Sequence, residues 1–240
     1  FILIVFFIYK SEKLKKYLFS INLLKIKFKK IKEITKIGVP IGLQYAMEVS
    51  AFSVGSIIVG TISAEALAAH QIVLNIAATT FMMAGGIGTA ATIALSNYLG
   101  QKLFKEIRRS GFTSLLIVLS FMSITATIFI ILNNFLPSLY IDKTEVLKIS
   151  ASLMIIAGFF QISDGVQVVI LGVLRGIHDV KIPTIITSIS YWILTIPLAY
   201  VSVNYLNFGP EGVWYAYLIG LTFTAITLTY RFNKLSRKFD

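Results

Sequence analysis

The 240-residue chain has no cysteine, two histidines, five prolines, and charge on only 14% of its residues. Without cysteine there is no disulfide framework, thiolate zinc site or cysteine nucleophile. A lone His70 with no carboxylate near it in sequence makes no metal site. Acids are scarce, at 11 Asp and Glu against 22 Lys and Arg, and the net charge is +11. Such a basic balance suits nucleic acid, but here the cations lie between apolar runs. That placement is better explained by membrane orientation, and no nucleic-acid partner is expected. Soluble domains carry roughly 25% charged residues, well above this chain.

Apolar sequence fills the gap, at 56% of residues and a mean hydropathy of +0.81. Several runs reach about 20 residues, enough to cross a hydrocarbon core of roughly 30 Å. The pattern predicts an all-α, polytopic transmembrane bundle with spans at 37–62, 67–99, 110–135, 147–173, 183–204 and 211–231. The apolar opening at 1–9 has no basic n-region before it, so it is read as no signal peptide and is expected to be the end of a preceding transmembrane helix. Residues 10–36 carry ten Lys against Glu12 and Glu33, interleaved with Ile, Leu and Phe. This predicts a basic amphipathic linker on the anionic cytoplasmic surface, in contact with membrane lipid. Residues 37–231 form the six-helix unit and 232–240 a cytoplasmic tail.

Charge tests the span count. With 10–36 inside, 20 of the 22 Lys and Arg fall in inside loops or the tail, leaving Lys143 and Lys148 outside. That asymmetry over short loops is the positive-inside pattern. It predicts a multi-pass protein of the cell inner membrane with both ends of the six-helix unit cytoplasmic.

Two carboxylates lie within spans. A charge near the bilayer centre costs at least about 2.5–3.5 kcal/mol by insertion scales, which makes such acids functional candidates. Glu48 shares a helix face with Gln44 four residues before it, and Ala51, Phe52 and Gly55 extend that face. In hydrocarbon Glu48 is expected to be neutral or paired with a cation; the alternative is a protonated glutamate hydrogen-bonded between helices. On 147–173, Gln161, Asp164 and Gln167 step by three along one side, with Phe160 one turn before the acid. That face should look into the bundle or a cavity. Asn75, Tyr191 and Trp192 complete the candidate cavity, the two aromatics as stacking surfaces for a cation or as ordinary core. Gly85, Gly86 and Gly88 predict a kink or unwound turn at mid-membrane, with close helix packing as the alternative. His70 is expected to hydrogen-bond near the outer interface.

Gly38-Val-Pro40-Ile-Gly42 with Glu48, Leu67-Ala-Ala-His70-Gln71-Ile72, Gln161-Ile-Ser-Asp164-Gly-Val-Gln167, Leu174-Arg175-Gly176 and Asp179-Val-Lys181-Ile-Pro183 follow one another in a familiar order. Together they resemble the C-terminal six-helix lobe of a multidrug and toxic compound extrusion (MATE) transporter. The resemblance implies an antiporter that expels cationic amphipathic drugs or toxic compounds in exchange for Na⁺ or H⁺, with no cofactor besides the coupling ion. It implies a missing N-terminal six-helix lobe, on the same full-length chain or a partner chain. It also implies cation binding at Glu48 and Asp164, the only metal expected being Na⁺ there. The family's tyrosine one turn before the fourth-helix acid is Phe160 here. Gln161, Gln44 or water are candidates for the lost oxygen, and the coupling ion stays open.

A lipid-linked oligosaccharide flippase of the same superfamily is the nearest alternative, but it calls for basic residues in the cleft to hold pyrophosphate. The spans contain none at mid-membrane. A half-transporter without function is a second alternative. An intramembrane hydrolase would need a nucleophile–base or paired-acid arrangement with further polar motifs; none stands out, and no enzyme activity or catalytic residue is expected. The topology is checked by reporter fusion. Alkaline phosphatase joined after Asp142 should be active and joined after Lys102 inactive, and the reverse pattern would overturn the orientation.

Overall fold

The structure is a computed structural model that describes residues 9–11 and 28–237. The expected helix end at 1–9 (all but Tyr9), most of the basic linker and the last three residues of the tail lie outside the described residues. Phe1–Gly38 and Val39–Asp240 separate as two compact units. In the first, the described stretch is helical from Phe28 and holds an ion pair from Lys30 to Glu33 at 2.9 Å.

The described residues are helical without a strand, in the order α1 (Phe28–Gly60, with residues from Val39 on in the second unit), α2 (Ala64–Gly100), α3 (Phe104–Ile131), the short α4 (Phe135–Ser138) and α5 (Thr144–Gly176). Then come α6 (Lys181–Ile189), a π-helical stretch (Ser190–Thr195), α7 (Ile196–Asn204) and α8 (Gly209–Ser236). Counting α6 through α7 as one, six helices among the described residues are long and apolar enough to cross a membrane. Only closed hydrogen-bonding elements survive in hydrocarbon, which is why uninterrupted apolar runs become helices here.

Boundaries moved where local chemistry says they should. The third span is Phe104–Ile131 and not 110–135. Asn133 and Asn134 compete with the helical backbone for hydrogen bonds, the Asn134 amide donating to the Asn133 oxygen at 2.6 Å. The span expected at 183–204 is broken in its middle. Pro197 cannot donate to the preceding turn; the π stretch before it absorbs the mismatch, with Ile196 N–H donating to Tyr191 O. Ser63 caps α2, its hydroxyl accepting from Ala66 N–H at 3.0 Å.

The helix α5 is the hub. In its most apolar window 72% of residues are buried, against 28% for α1 and α3. Small residues make this density reachable, since helices in lipid associate by close backbone approach. Gly158 and Gly165 take the side chains of Ile130 and Met122 from α3, and Gly172 lies directly on Gly88 of α2. There Thr92 donates to Gly172 O at 2.7 Å, and Ser96 to Gly176 O at 3.2 Å. Within the glycine cluster of α2, Gly88 is therefore a packing point, while Gly85 and Gly86 face open space. No unwound turn occurs at Gly85–Gly88, α2 running as continuous helix to Gly100, and the alternative of close packing holds at Gly88.

Two apolar clusters result. One surrounds Phe160, Trp214 and Tyr217, and the other Leu95, Met122, Leu174 and Phe232. On α5 the stretch between Phe160 and Val168 separates them, and it carries the three polar residues Gln161, Asp164 and Gln167. Outward, Ile57, Met82, Ile93, Leu116, Ile124 and Ile226 are exposed, an apolar girdle suited to lipid. At the end marked by the 101–103 and 177–180 turns, Asp179 holds Arg231 of α8 by two hydrogen bonds, one of 2.9 Å.

A Cβ at Gly172 would fall on the Gly88 carbonyl, whereas Gly85 faces open space. Overpacking costs about 1–3 kcal/mol, so Gly172→Ala should lower the melting temperature of the detergent-solubilised protein. Gly85→Ala should leave it equal or raise it, since helix propensity favours Ala by about 1 kcal/mol. Equal melting temperatures for Gly172→Ala and the parent would contradict the proposed crossing.

Candidate functional site

On α1, one face from Gln44 to Val59 is buried: Gln44, Glu48, Ala51, Gly55, Ile58 and Val59. These positions step by three and four, as a helix side packed inward must. On α5, Gln161, Asp164 and Gln167 are all buried, at 1%, 5% and 1% exposure. The two faces meet across a cavity of about 280 Å³ lined by Tyr45, Glu48, Val49, Phe52, Leu74, Ala77, Ala78, Phe81, Phe160 and Asp164. Both candidate carboxylates thus open into one space whose remaining wall is aliphatic or aromatic, and the charge of Glu48 acts on Asp164.

Tyr191 lies behind the acids and does not line the cavity itself. It is buried at 1% exposure and sits in the π stretch. Its hydroxyl accepts from Gln167 Nε2 at 2.7 Å and lies near enough to both carboxylates for their charges to act on it. A phenol oxygen is therefore present beside the acid pair, delivered by a different helix from the one that carries Phe160. Phe160 itself is an apolar wall, edge-on to Phe52 at 6.2 Å and to Trp214 at 5.3 Å between ring centroids. Gln161 accepts from Thr80 of α2 at 2.8 Å.

Several buried polar atoms here have no protein hydrogen-bond partner: Asp164 Oδ1, Gln167 Oε1, Gln161 Nε2 and Gln44 Nε2. Buried polar groups in native proteins are rarely left so. Carboxylate, phenol and amide oxygens are hard donors of the kind that hold hard cations.

The remaining candidates divide. Gln44 lies at one end of this face, its oxygen accepting from Arg175 at 3.3 Å. Asn75 is exposed and accepts from the Tyr140 hydroxyl at 2.9 Å; it does not line the cavity. Trp192 is half-exposed, donates to Met47 O at 3.3 Å and lines a separate groove with Ser188, Ile189 and Ile193. His70 is buried among aromatic rings. Trp214 Nε1 can only donate, and it donates to His70 Nδ1 at 3.1 Å, so the neutral ring turns Nε2–H toward Ser56 at 3.2 Å. This is the hydrogen-bonding role expected of it. Among the described residues no group of three His, Asp or Glu could hold a metal ion.

Sequence reasoning missed Tyr45, Arg175 and Thr80 as neighbours of the site. Arg175 stood in a motif with no role attached. Its guanidinium donates to the Tyr45 hydroxyl at 3.1 Å and lies 4.9 Å from that ring's centroid.

Comparison with known proteins places this arrangement. The chain is 35% identical over 243 residues to the probable multidrug resistance protein NorM of Agrobacterium fabrum, covering 99% of the chain and 52% of that protein. It is 37% identical over 217 residues to the multidrug resistance protein MdtK of Proteus mirabilis, covering 89% of the chain and 48% of that protein. The chain thus spans about half the length of the curated relatives it matches. In fold it is similar to the eukaryotic MATE transporter AtDTX14, with a TM-score of 0.80 and 21% identity over 88% of the chain and 49% of that protein. It is likewise similar to the bent form of the Vibrio cholerae MATE transporter VcmN, with a TM-score of 0.80 and 15% identity over 90% of the chain and 49% of that protein. The MatE family model matches residues 40–201, the stretch that holds both carboxylates and Tyr191, and the chain belongs to the MatE family.

Proposed function

We propose that this six-helix lobe works with a second lobe as a cation-coupled exporter of amphipathic organic cations in the cell inner membrane. In this reading the 101–103 and 177–180 turns face the cytoplasm. The observation that carries it is the pair of buried carboxylates, Glu48 and Asp164, opening into one otherwise apolar cavity. The relatives named as multidrug resistance proteins support the substrate class.

The chemistry follows from desolvation. Two carboxylates in one low-dielectric space cannot both stay charged without a cation, because each lacks the hydration that stabilised it in water. A proton or Na⁺ arriving from one side relieves that cost. Glu48, Asp164 and the Tyr191 hydroxyl are the oxygens that would receive it, and Gln167 orients the phenol from behind. An amphipathic organic cation satisfies the same need differently. Its charge answers the carboxylates while its rings pack on Phe52, Phe81, Phe160 and Tyr45, aromatic faces that attract cations.

Exchange requires only that the two occupants favour different states of the lobe. A ligand shifts a conformational equilibrium by its differential affinity for the two states and no more. The coupling free energies involved are typically 1–3 kcal/mol, or about 5–150-fold in affinity. Substrate and coupling ion can therefore act through Glu48 and Asp164 in turn without meeting.

Asp164→Asn and Glu48→Gln keep the shape of the site and remove its ability to carry charge. Each should reduce export of ethidium from cells expressing the whole protein by a factor within that roughly 5–150-fold range, at an unchanged amount of inserted protein. Wild-type export by Asp164→Asn would sink the assignment.

A further inference from the structure

The helix α1 is attached to the rest of the second unit in an unusual way. Among the described residues its backbone makes the sparsest approach to neighbours of all six spans, while α2, α3 and α8 each pack closely on α5. What joins it, besides the apolar cluster that takes in Ala51, Ile58 and Val59, is a set of side-chain hydrogen bonds. Toward its C-terminal end, Ser56 meets His70 and Gln71, and the Tyr217 hydroxyl donates to Phe52 O at 3.3 Å. Nearer the 177–180 turn, Thr184 donates to Pro40 O at 3.1 Å and Trp192 to Met47 O. In that same half stands the one cation from another helix that hydrogen-bonds α1 among the described residues, Arg175, in the last turn of α5.

Arg175 grips two consecutive residues, Gln44 and Tyr45, with separate guanidinium nitrogens. Its central carbon also lies over the Tyr45 ring at 4.9 Å from the centroid, a contact made more often by guanidinium than by ammonium. Gln44 is one helical turn from Glu48, and Tyr45 is itself part of the cavity wall. Arg175 is close enough for its charge to act on Glu48.

We infer that Arg175 is a positioning residue that clamps α1 to α5, holding Glu48 opposite Asp164 and closing the cavity toward the 177–180 turn. Three features converge on it: a helix with sparse backbone packing, a forked cation gripping it next to the acid, and a wall residue serving as the cation's seat. Charge-assisted hydrogen bonds are the strong ones, so this tie outweighs the two neutral ones beside it. Because the tie is polar and lies at the 177–180 end, away from Ala51, Ile58 and Val59 in the apolar cluster, it can be broken and remade at that end, as a helix that tilts between two positions requires. That last consequence rests on the transporter reading; the clamp itself does not.

The test uses the chain's lack of cysteine. A single Ala77→Cys on the cavity wall, in the whole protein freed of any other cysteine, is exposed to a membrane-impermeant maleimide from the side of the 177–180 turn. Adding Arg175→Gln should raise its labelling rate roughly tenfold, the equivalent of about 1.4 kcal/mol in a closed–open equilibrium. Arg175→Lys, which keeps the charge and loses the fork, should fall between the two. Ala91→Cys, buried in the other cluster, should stay protected in every background. If Arg175→Gln does not insert, Gln44→Met with Tyr45→Phe removes both acceptors and should open the cavity in its place. Unchanged labelling at residue 77 in either background overturns the inference, as does an equal rise at residue 91, which would mean general loosening. Labelling needs no export, so the clamp and the carboxylate assignment succeed or fail separately.

Discussion

A bilayer offers no hydrogen bonds, and the structure is organised by that fact. Each polar side chain on a spanning helix must be answered inside the protein or by something the protein binds. The helix α5 brings three such side chains to one face, and α1 brings two more. The bundle answers one polar atom on each glutamine, with Thr80 for Gln161, Tyr191 for Gln167 and Arg175 for Gln44. What it leaves unanswered is concentrated at the acids and their amide neighbours. A lobe that needed only stability would have filled that space with leucine.

Packing explains how such a layer is tolerated. Above and below it, α5 lies against α2 and α3 with glycines at the crossings, so backbone meets backbone and dispersion contacts are dense. Thr92 and Ser96 return their hydroxyls to carbonyls across the same seam. The rigid part of the lobe is thus α2, α3, α5 and α8. The helix α1, carrying one of the two acids, is fastened by side chains instead. Rigidity on one side of the cavity and a polar fastening on the other is a division of labour suited to alternating occupancy.

Much of this was legible in the sequence. Run length and the distribution of lysine and arginine pointed to six helices, because hydrocarbon thickness and charge exclusion leave little choice. The spacing of Gln44 to Glu48, and of Gln161, Asp164 and Gln167, identified the inward faces, because helical geometry dictates which residues share a side. The fate of Gly85–Gly88 was not legible. Glycine lowers helix propensity, but in lipid an unwound turn would strand backbone groups, and the helix stays whole with Gly88 as a contact point. Tyr191 was legible as an inward residue, since it continues the buried Thr184 and Thr187 face by a step of four; its bond to Gln167 was not, because that partner comes from another helix. Arg175 was hidden because its partners lie some 130 residues away on another helix.

The central claim is that Glu48 and Asp164 form one charge-exchanging site. Its most direct test is the number of protons released when tetraphenylphosphonium or Na⁺ is added to the purified whole protein in weakly buffered detergent solution. The account predicts that at least one of these cations displaces protons from the parent protein. The release should disappear when Glu48→Gln and Asp164→Asn are combined. Undiminished proton release from the double variant would place the exchanging group elsewhere and contradict it.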